Sequence, residues 1–170
     1  MARRFRGEYT FKVDSKGRVS IPALFRRVLE AGDEAWVDGK RPELVIVYGD
    51  KEQDFLEVYT MRAIGALEDK IAKLPSGPLK RKLTKRISGL SHQTEVDPDG
   101  RLVIPLRLRE KIGLEKEAYF IATGDTFQIW NPGTYAQIEA EEEEALGDDL
   151  PEGVDLMDAL DMTLSRMGEG

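Results

Sequence analysis

The chain has 170 residues, 41% of them hydrophobic, with 25 Lys+Arg against 32 Asp+Glu, a formal net charge of −7 and a mean hydropathy of −0.42. That is enough for one ordinary domain or two small ones, and it excludes a fully disordered chain. No apolar run approaches the roughly 18 residues of a membrane-spanning helix, and with no Cys there are neither disulfides nor thiolate metal sites.

The first residues, MARRFRGEYT, lack the apolar core of a signal peptide, so the expected compartment is the cytoplasm. GEYTFKV reads as a strand, with Tyr9, Phe11 and Val13 alternating on one face. VDSKGRVSIP follows, a four-residue turn Asp-x-x-Gly and a short strand ended by Pro22. Pro22 opens a short helix, ALFRRVLEAG, which Gly32 stops. EAWV and ELVIVYG are the next two predicted strands. A long helix is predicted over residues 51–74, with Phe55, Val58, Tyr59, Ile64, Leu67, Ile71 and Leu74 near helical spacing.

Pro75-Ser-Gly-Pro78 is the linker candidate, and a basic helix over 79–87 leads into a second copy of the same order. SHQTEV is a shorter strand, and VDPDGRLVIP repeats the first motif 83 residues on, with six of ten positions identical. LRLREKIG is the matching helix, in register to Arg26 and Arg109. EAYFIAT and FQIW are joined by Gly124-Asp125, a hairpin signal. A helix over 132–146, with Tyr135, Ile138 and Ala145 inward, and a weakly amphipathic, mobile end complete the chain. Trp36 and Trp130 fall in matching predicted strands and read as core.

The expected organisation is a first module at 7–74, a linker and basic helix at 75–90, a second module at 91–146 and an acidic tail at 147–170. The fold class is α+β, a tandem duplication of a β-hairpin–helix module. Each half alone would bury little core, and association through the hairpins would supply it while covering strand edges.

Resolved by position, the charge changes meaning. Residues 1–30 carry eight bases and three acids, and residues 71–90 carry six bases and no acid. Residues 139–170 carry twelve acids and one base, net −11, which leaves +4 on the body. A basic body with an acidic tail is the pattern of a nucleic-acid binder, and equally of solvated helix faces with a solubilising end.

Two readings of the repeated turn stand side by side. Asp14 and Asp97 can accept hydrogen bonds from the backbone two residues on, and Gly17 and Gly100 can take positive φ. A turn needs that Asp and that Gly, but not the Arg after the Gly. Arg18 and Arg101 are either solvated strand residues or a matched pair of forks suited to phosphate or to guanine O6/N7 in a major groove.

An enzyme is the main rival. It would rest on the lone His92, or on Asp14 and Asp97 as an acid/base pair, although their turns already account for both. No phosphate-binding loop or dinucleotide fingerprint is present, so no catalytic residue, cofactor, metal or small-molecule ligand is expected. Single-stranded RNA binding would call for aromatics among the bases, and the helix over 79–87 has none.

FRGEYTFKVDSKGRVSIPALFR (5–26), RKLTKRISGLSHQTEVDPDGRLVIPLRLREKIGLEKEAYF (81–120) and TFQIWNPGTY (126–135) resemble the MraZ family, over about residues 5–140. The chain departs from the pattern at a charged insert, DGKRPE, at Asp99 where the first copy has Lys16, and in its acidic tail. The resemblance implies a bacterial transcription regulator with two AbrB-like swapped-hairpin modules forming a double-psi-like β-barrel with flanking helices. It implies ring-shaped homo-oligomers in the nucleoid, on double-stranded DNA. The sites would be directly repeated boxes upstream of the division and cell-wall genes, including the regulator's own, usually for repression. The family's Asp-x-x-x-Arg motifs map onto Asp14 and Arg18 and onto Asp97 and Arg101, with Arg18 and Arg101 on DNA. The first copy, with Lys12 and Lys16, is expected to contact DNA more strongly, and Arg3, Arg4 and Arg6 to neutralise phosphate.

Overall fold

Neither copy of the Asp-x-x-Gly-Arg segment keeps its strands to itself. In the computed structural model, which describes residues 3–168, the first repeat supplies β1 (Glu8–Lys12), β2 (Arg18–Ser20), α1 (Ala23–Ala31), β3 (Glu43–Val47), β4 (Leu56–Thr60) and α2 (Met61–Ala72). A short helix α3 (Pro78–Thr84) and a π-helical turn (Lys85–Gly89) follow. The second repeat supplies β5 (Ser91–Glu95), β6 (Arg101–Val103), α4 (Leu106–Lys111), β7 (Glu117–Ala122), β8 (Thr126–Trp130) and α5 (Pro132–Asp149), and α6 (Leu156–Gly168) closes the series.

The six longer strands form one antiparallel sheet in the order β1-β7-β8-β4-β3-β5, while β2 and β6 pair as a separate two-stranded ribbon. Exchanging the repeats reverses the strand order and leaves the sheet unchanged, so a pseudo-twofold axis runs between β4 and β8. The register obeys it. Tyr9 faces Phe120 and its equivalent His92 faces Ile46. The Val13 amide donates to the Lys116 carbonyl at 2.8 Å, and the equivalent Val96 amide to the Pro42 carbonyl at 3.0 Å. Each repeat's first strand thus completes the sheet of the other. The expected α+β tandem module with swapped AbrB-like hairpins is the fold observed.

The ribbon packs over one face of the sheet. Val19 and Leu102 point inward from it against Leu44, Ile46, Leu56, Val58, Phe120, Phe127 and Ile129, all essentially inaccessible. Phe5 reaches the same core from outside the strands, edge-on to Phe25 and Phe127 at 5.2 and 5.0 Å. The other face of β3 carries Val45 and Val47, covered by Ile64 and Ile71 of α2 and by Ile87. Buried on both faces, β3 reads as a continuous apolar run. Residues up to Thr134 form one compact unit that holds both motif copies, and residues from Tyr135 form a second.

Several predicted elements shift. The helix expected over 51–74 is two elements. Leu56, Val58 and Thr60 are buried in alternation as β4, and the helix starts only at Met61, where Thr60 Oγ1 accepts from the Ala63 amide at 3.0 Å. Pairing with β3 and β8 imposes a period of two on residues whose spacing also suited a helix. EAWV is not a strand. Asp33 holds that loop, taking the Ala35 and Glu43 amides at 3.1 and 3.0 Å, and Trp36 donates Nε1 to the Lys40 carbonyl. Trp36 is therefore half-buried in a loop, whereas Trp130 is core and stacks on Phe55 at 4.7 Å. The basic helix ends its α-helical part at Thr84, and α5 runs on to Asp149 with Ala145 exposed rather than inward. The chain end is helical over Leu156–Gly168.

Candidate nucleic-acid interface

Each repeated turn is built by its aspartate. Asp14 Oδ1 accepts from the amides of Lys16 and Arg18 at 3.0 and 2.9 Å, and its Oδ2 takes the Arg18 Nε at 2.6 Å. In the second copy Asp97 Oδ1 accepts from the amides of Asp99 and Arg101 at 2.9 and 2.8 Å, and Oδ2 from the Arg101 Nε at 3.2 Å. The Arg18 amide, and then its guanidinium and the Lys16 amide, hold the Asp14 carboxyl below the usual carboxylate range. At Asp97, burial opposes ionisation, but the Arg101 and Asp99 amides and the Arg101 guanidinium outweigh it, and its value is lowered too. Both carboxylates are engaged by their own turns and arginines.

The consequence for the arginines is orientation. With Nε turned onto its own aspartate, each guanidinium is tethered to its turn by a charge-assisted hydrogen bond. The register of the ribbon then sets the two forks on one face. Arg18 lies opposite Val103, and Ser20 opposite Arg101, while Val19 and Leu102 between them point into the core. Arg18 and Arg101 are diagonal neighbours, a relation that spans about 7–8 Å. Ser20 and Val103 are exposed on the same face.

The turns are also clasped by the opposite repeat. The Gly17 carbonyl accepts from the Ile104 amide at 2.8 Å, and the Gly100 carbonyl from the Ile21 amide at 3.0 Å. Arg109 donates Nε to the Ile104 carbonyl at 2.9 Å and lies against Gly17, and Arg26 lies in the same way against Gly100. The Arg26 Nε is buried and has no hydrogen-bond partner among the described residues. Gly17 and Gly100 have φ of +82° and +75°, and a side chain at either would meet these groups. Sequence comparison of the two copies showed Arg26 and Arg109 in register, but their reach across the repeats is visible only in the fold.

The remaining predicted site residues divide. Lys12 and Lys16 are exposed at the end of β1 and in the turn. Asp99 takes the Arg101 Nη2 at 3.0 Å, so the second fork holds two carboxylates where Lys16 adds a positive charge in the first copy. Arg3, Arg4 and Arg6 are exposed at the opposite end of β1, where the Phe5 amide donates to the Gly124 carbonyl and Arg3 lines a cavity with Arg62 and Asp125. One strand length, on the order of 17–20 Å, separates them from the turn. The basic helix α3 and the π-helical turn after it lie on the far face of the sheet, through Leu83 and Ile87. Among the described residues no cluster of His, Cys, Asp or Glu has the arrangement to hold a metal, and no helix is long and apolar enough to cross a membrane.

The chain is similar to known proteins along nearly all its length. The family model described as MraZ protein matches residues 4–86 and 89–154, one stretch for each repeat. A relative from Ruegeria pomeroyi named transcriptional regulator MraZ is 61% identical over 162 residues, covering 95% of this chain and 97% of the relative. A relative of the same name from Cereibacter sphaeroides is 44% identical over 171 residues, covering 96% and 99%. One from Coxiella burnetii is 35% identical over 153 residues, covering 89% and 93%. With the duplicated turn, the swapped strands and matches across both repeats, the chain belongs to the MraZ family of transcriptional regulators.

Proposed function

We propose that the protein regulates transcription by reading duplex DNA with the β2–β6 ribbon, as a ring-shaped homo-oligomer on directly repeated boxes. The observation that carries this reading is the pair of aspartate-held forks, Arg18 and Arg101, on the one exposed face of a ribbon narrow enough for a major groove. Arg18 reads base edges. Lys12 and Lys16 neutralise phosphate beside it, and Arg3, Arg4 and Arg6 reach only flanking phosphate, one strand length away. Arg101, held by both Asp97 and Asp99, contributes less than Arg18. Asp14 and Asp97 serve the site by aiming the forks.

A single ribbon binds weakly, and a ring gains through avidity, on the order of 10² to 10⁴ without new contacts. The boxes would lie upstream of the division and cell-wall genes, including the protein's own, and occupancy there would repress them from a cytoplasmic, nucleoid-associated pool.

The test is binding to a labelled box and to its scrambled counterpart in a salt series. Arg18→Ala is expected to remove the preference for the box, a loss of about 1–3 kcal/mol. Lys16→Ala is expected to weaken both duplexes alike and lower the salt slope by about one. Equal losses for the two variants on both duplexes would overturn the division of roles, and an undiminished box preference in Arg18→Ala would overturn the reading itself.

A further inference from the structure

The ribbon is symmetric in backbone but not in the side chains it presents. Around the first fork, Arg18 stands directly opposite Val103, with Lys16 in the turn beside it. Around the second, Arg101 stands opposite Ser20, with Asp99 on its Nη2. Ser20 and Val103 are equivalent positions of the two repeats, 83 residues apart. One end of the face is therefore net positive with an apolar surface, since Arg18 and Lys16 outnumber Asp14, and the other is net negative with a hydroxyl, since Asp97 and Asp99 outnumber Arg101.

Val103 is 43% exposed in a face otherwise made of polar groups. The fold does not require an apolar residue there, because Ser20 fills the same place in the same ladder. Directly opposite residues of an antiparallel pair have Cβ atoms about 4.5–5.5 Å apart, so the valine methyls stand beside the stem of Arg18. In a major groove the matching apolar feature is the thymine C5-methyl.

We propose that Val103 and Ser20 are specificity-determining residues that give the ribbon a direction on DNA. Val103 packs on the methyl of a thymine adjacent to the base read by Arg18, and Ser20 offers a hydroxyl at the pseudo-symmetric place beside Arg101. A face of this kind reads a site with polarity and favours one orientation of each box over its inverse. The inference rests on the ribbon being the DNA-reading surface.

The experiment selects duplexes from a random pool with the full-length protein and then replaces each thymine of the selected site, one at a time, by deoxyuridine. Loss of one methyl contact is expected to weaken wild-type binding about fourfold at one position of each box. The same replacement is expected to leave Val103→Ser unaffected. Selection with Ser20→Val is expected to give sites with a second methyl-bearing position, related to the first by a twofold. Each substitution installs the residue that the other repeat already carries, so folding is preserved. If the deoxyuridine scan weakens wild type and Val103→Ser alike, or weakens neither, the assignment falls. Arg18→Ala on the selected duplex separates the two levels: wild-type affinity there removes the ribbon as the reading surface, whereas lost affinity with an unaltered scan removes only Val103.

Discussion

Four glycines differ in what a methyl group would meet, and alanine at each separates backbone cost from the cross-repeat clasp. Gly65 lies within α2 with open space around it, so Gly65→Ala is expected to stabilise by roughly 1 kcal/mol through helix propensity. Gly124, in the β7–β8 hairpin, has φ +87° and also faces open space. Gly124→Ala therefore isolates the left-handed backbone, at about 1–2 kcal/mol. Gly17 has nearly the same φ, +82°, but its added Cβ would strike the Ile104 carbonyl oxygen and come within 2.7 Å of the Arg109 Nε. The carbonyl is fixed by the Arg109 and Gly17 bonds around it, so an overpacking term of about 1–3 kcal/mol adds to the backbone term. At Gly100 the three nearest atoms all belong to the Arg26 side chain, which yields more readily than a backbone carbonyl, so Gly100→Ala belongs between Gly124→Ala and Gly17→Ala. Thermal unfolding at one protein concentration should read this order, with roughly 3 °C lost for Gly124→Ala and roughly 10 °C for Gly17→Ala. Box binding should be lost in Gly17→Ala and kept in Gly124→Ala. If Gly17→Ala is no less stable than Gly124→Ala, the clasp of one repeat on the turn of the other is refuted.

Three further outcomes are expected. Leu102→Ala removes a fully buried side chain from beneath the ribbon and should lower stability by about 2–5 kcal/mol in urea unfolding, with box binding weakened as the ribbon loosens. The Asp14 and Asp97 carboxyls titrate below their ordinary 3.8 in the folded protein, so their stabilisation is complete above that value and is lost as the pH falls through the lowered ones. Asp97→Asn should flatten the acid limb of a urea-midpoint profile below about pH 4, and an unchanged limb would show that the turn carboxylates do not set it. Deleting residues 147–170 removes acids that can compete with phosphate for the basic body, and should tighten binding to random duplex at low salt but not at high salt; equal binding at low salt would leave the tail a solubilising role only.

The repeat was the legible part of the fold. Asp14, Gly17, Arg18 and Pro22 with their equivalents fixed two turns, two short strands and two helix starts, because turn chemistry is local. What was illegible is non-local. Residues 55–60 carry apolar side chains that suit a helix or a strand, and the choice is made by β3 and β8 on either side. Trp36 and Trp130 look equivalent by order, yet the charged insert displaces the first copy's register, and the β4–β8 pairing makes Tyr59 the pseudo-twofold equivalent of Trp130. For the candidate site, the sequence singled out the arginines and aspartates that the fold holds together in two turns. It gave no sign that Ser20 and Val103 share their face, since that depends on β2 pairing with β6 and not with its own β1.

Joining the two halves in one chain is what makes an asymmetric face possible. Two identical copies meeting about a true twofold must present identical turns, so any ribbon they form reads its site equally in both directions. A tandem chain keeps the pseudo-twofold where packing demands it. Val19 and Leu102, Ile21 and Ile104, and Arg26 and Arg109 remain apolar or basic in matched pairs, because each supports the opposite turn or the shared core. Outside the core the constraint disappears, and it is there that Lys16 differs from Asp99 and Ser20 from Val103. The net charge of −7 conceals the same separation. Its acidity lies in residues 139–170, and the body that carries both forks is positive.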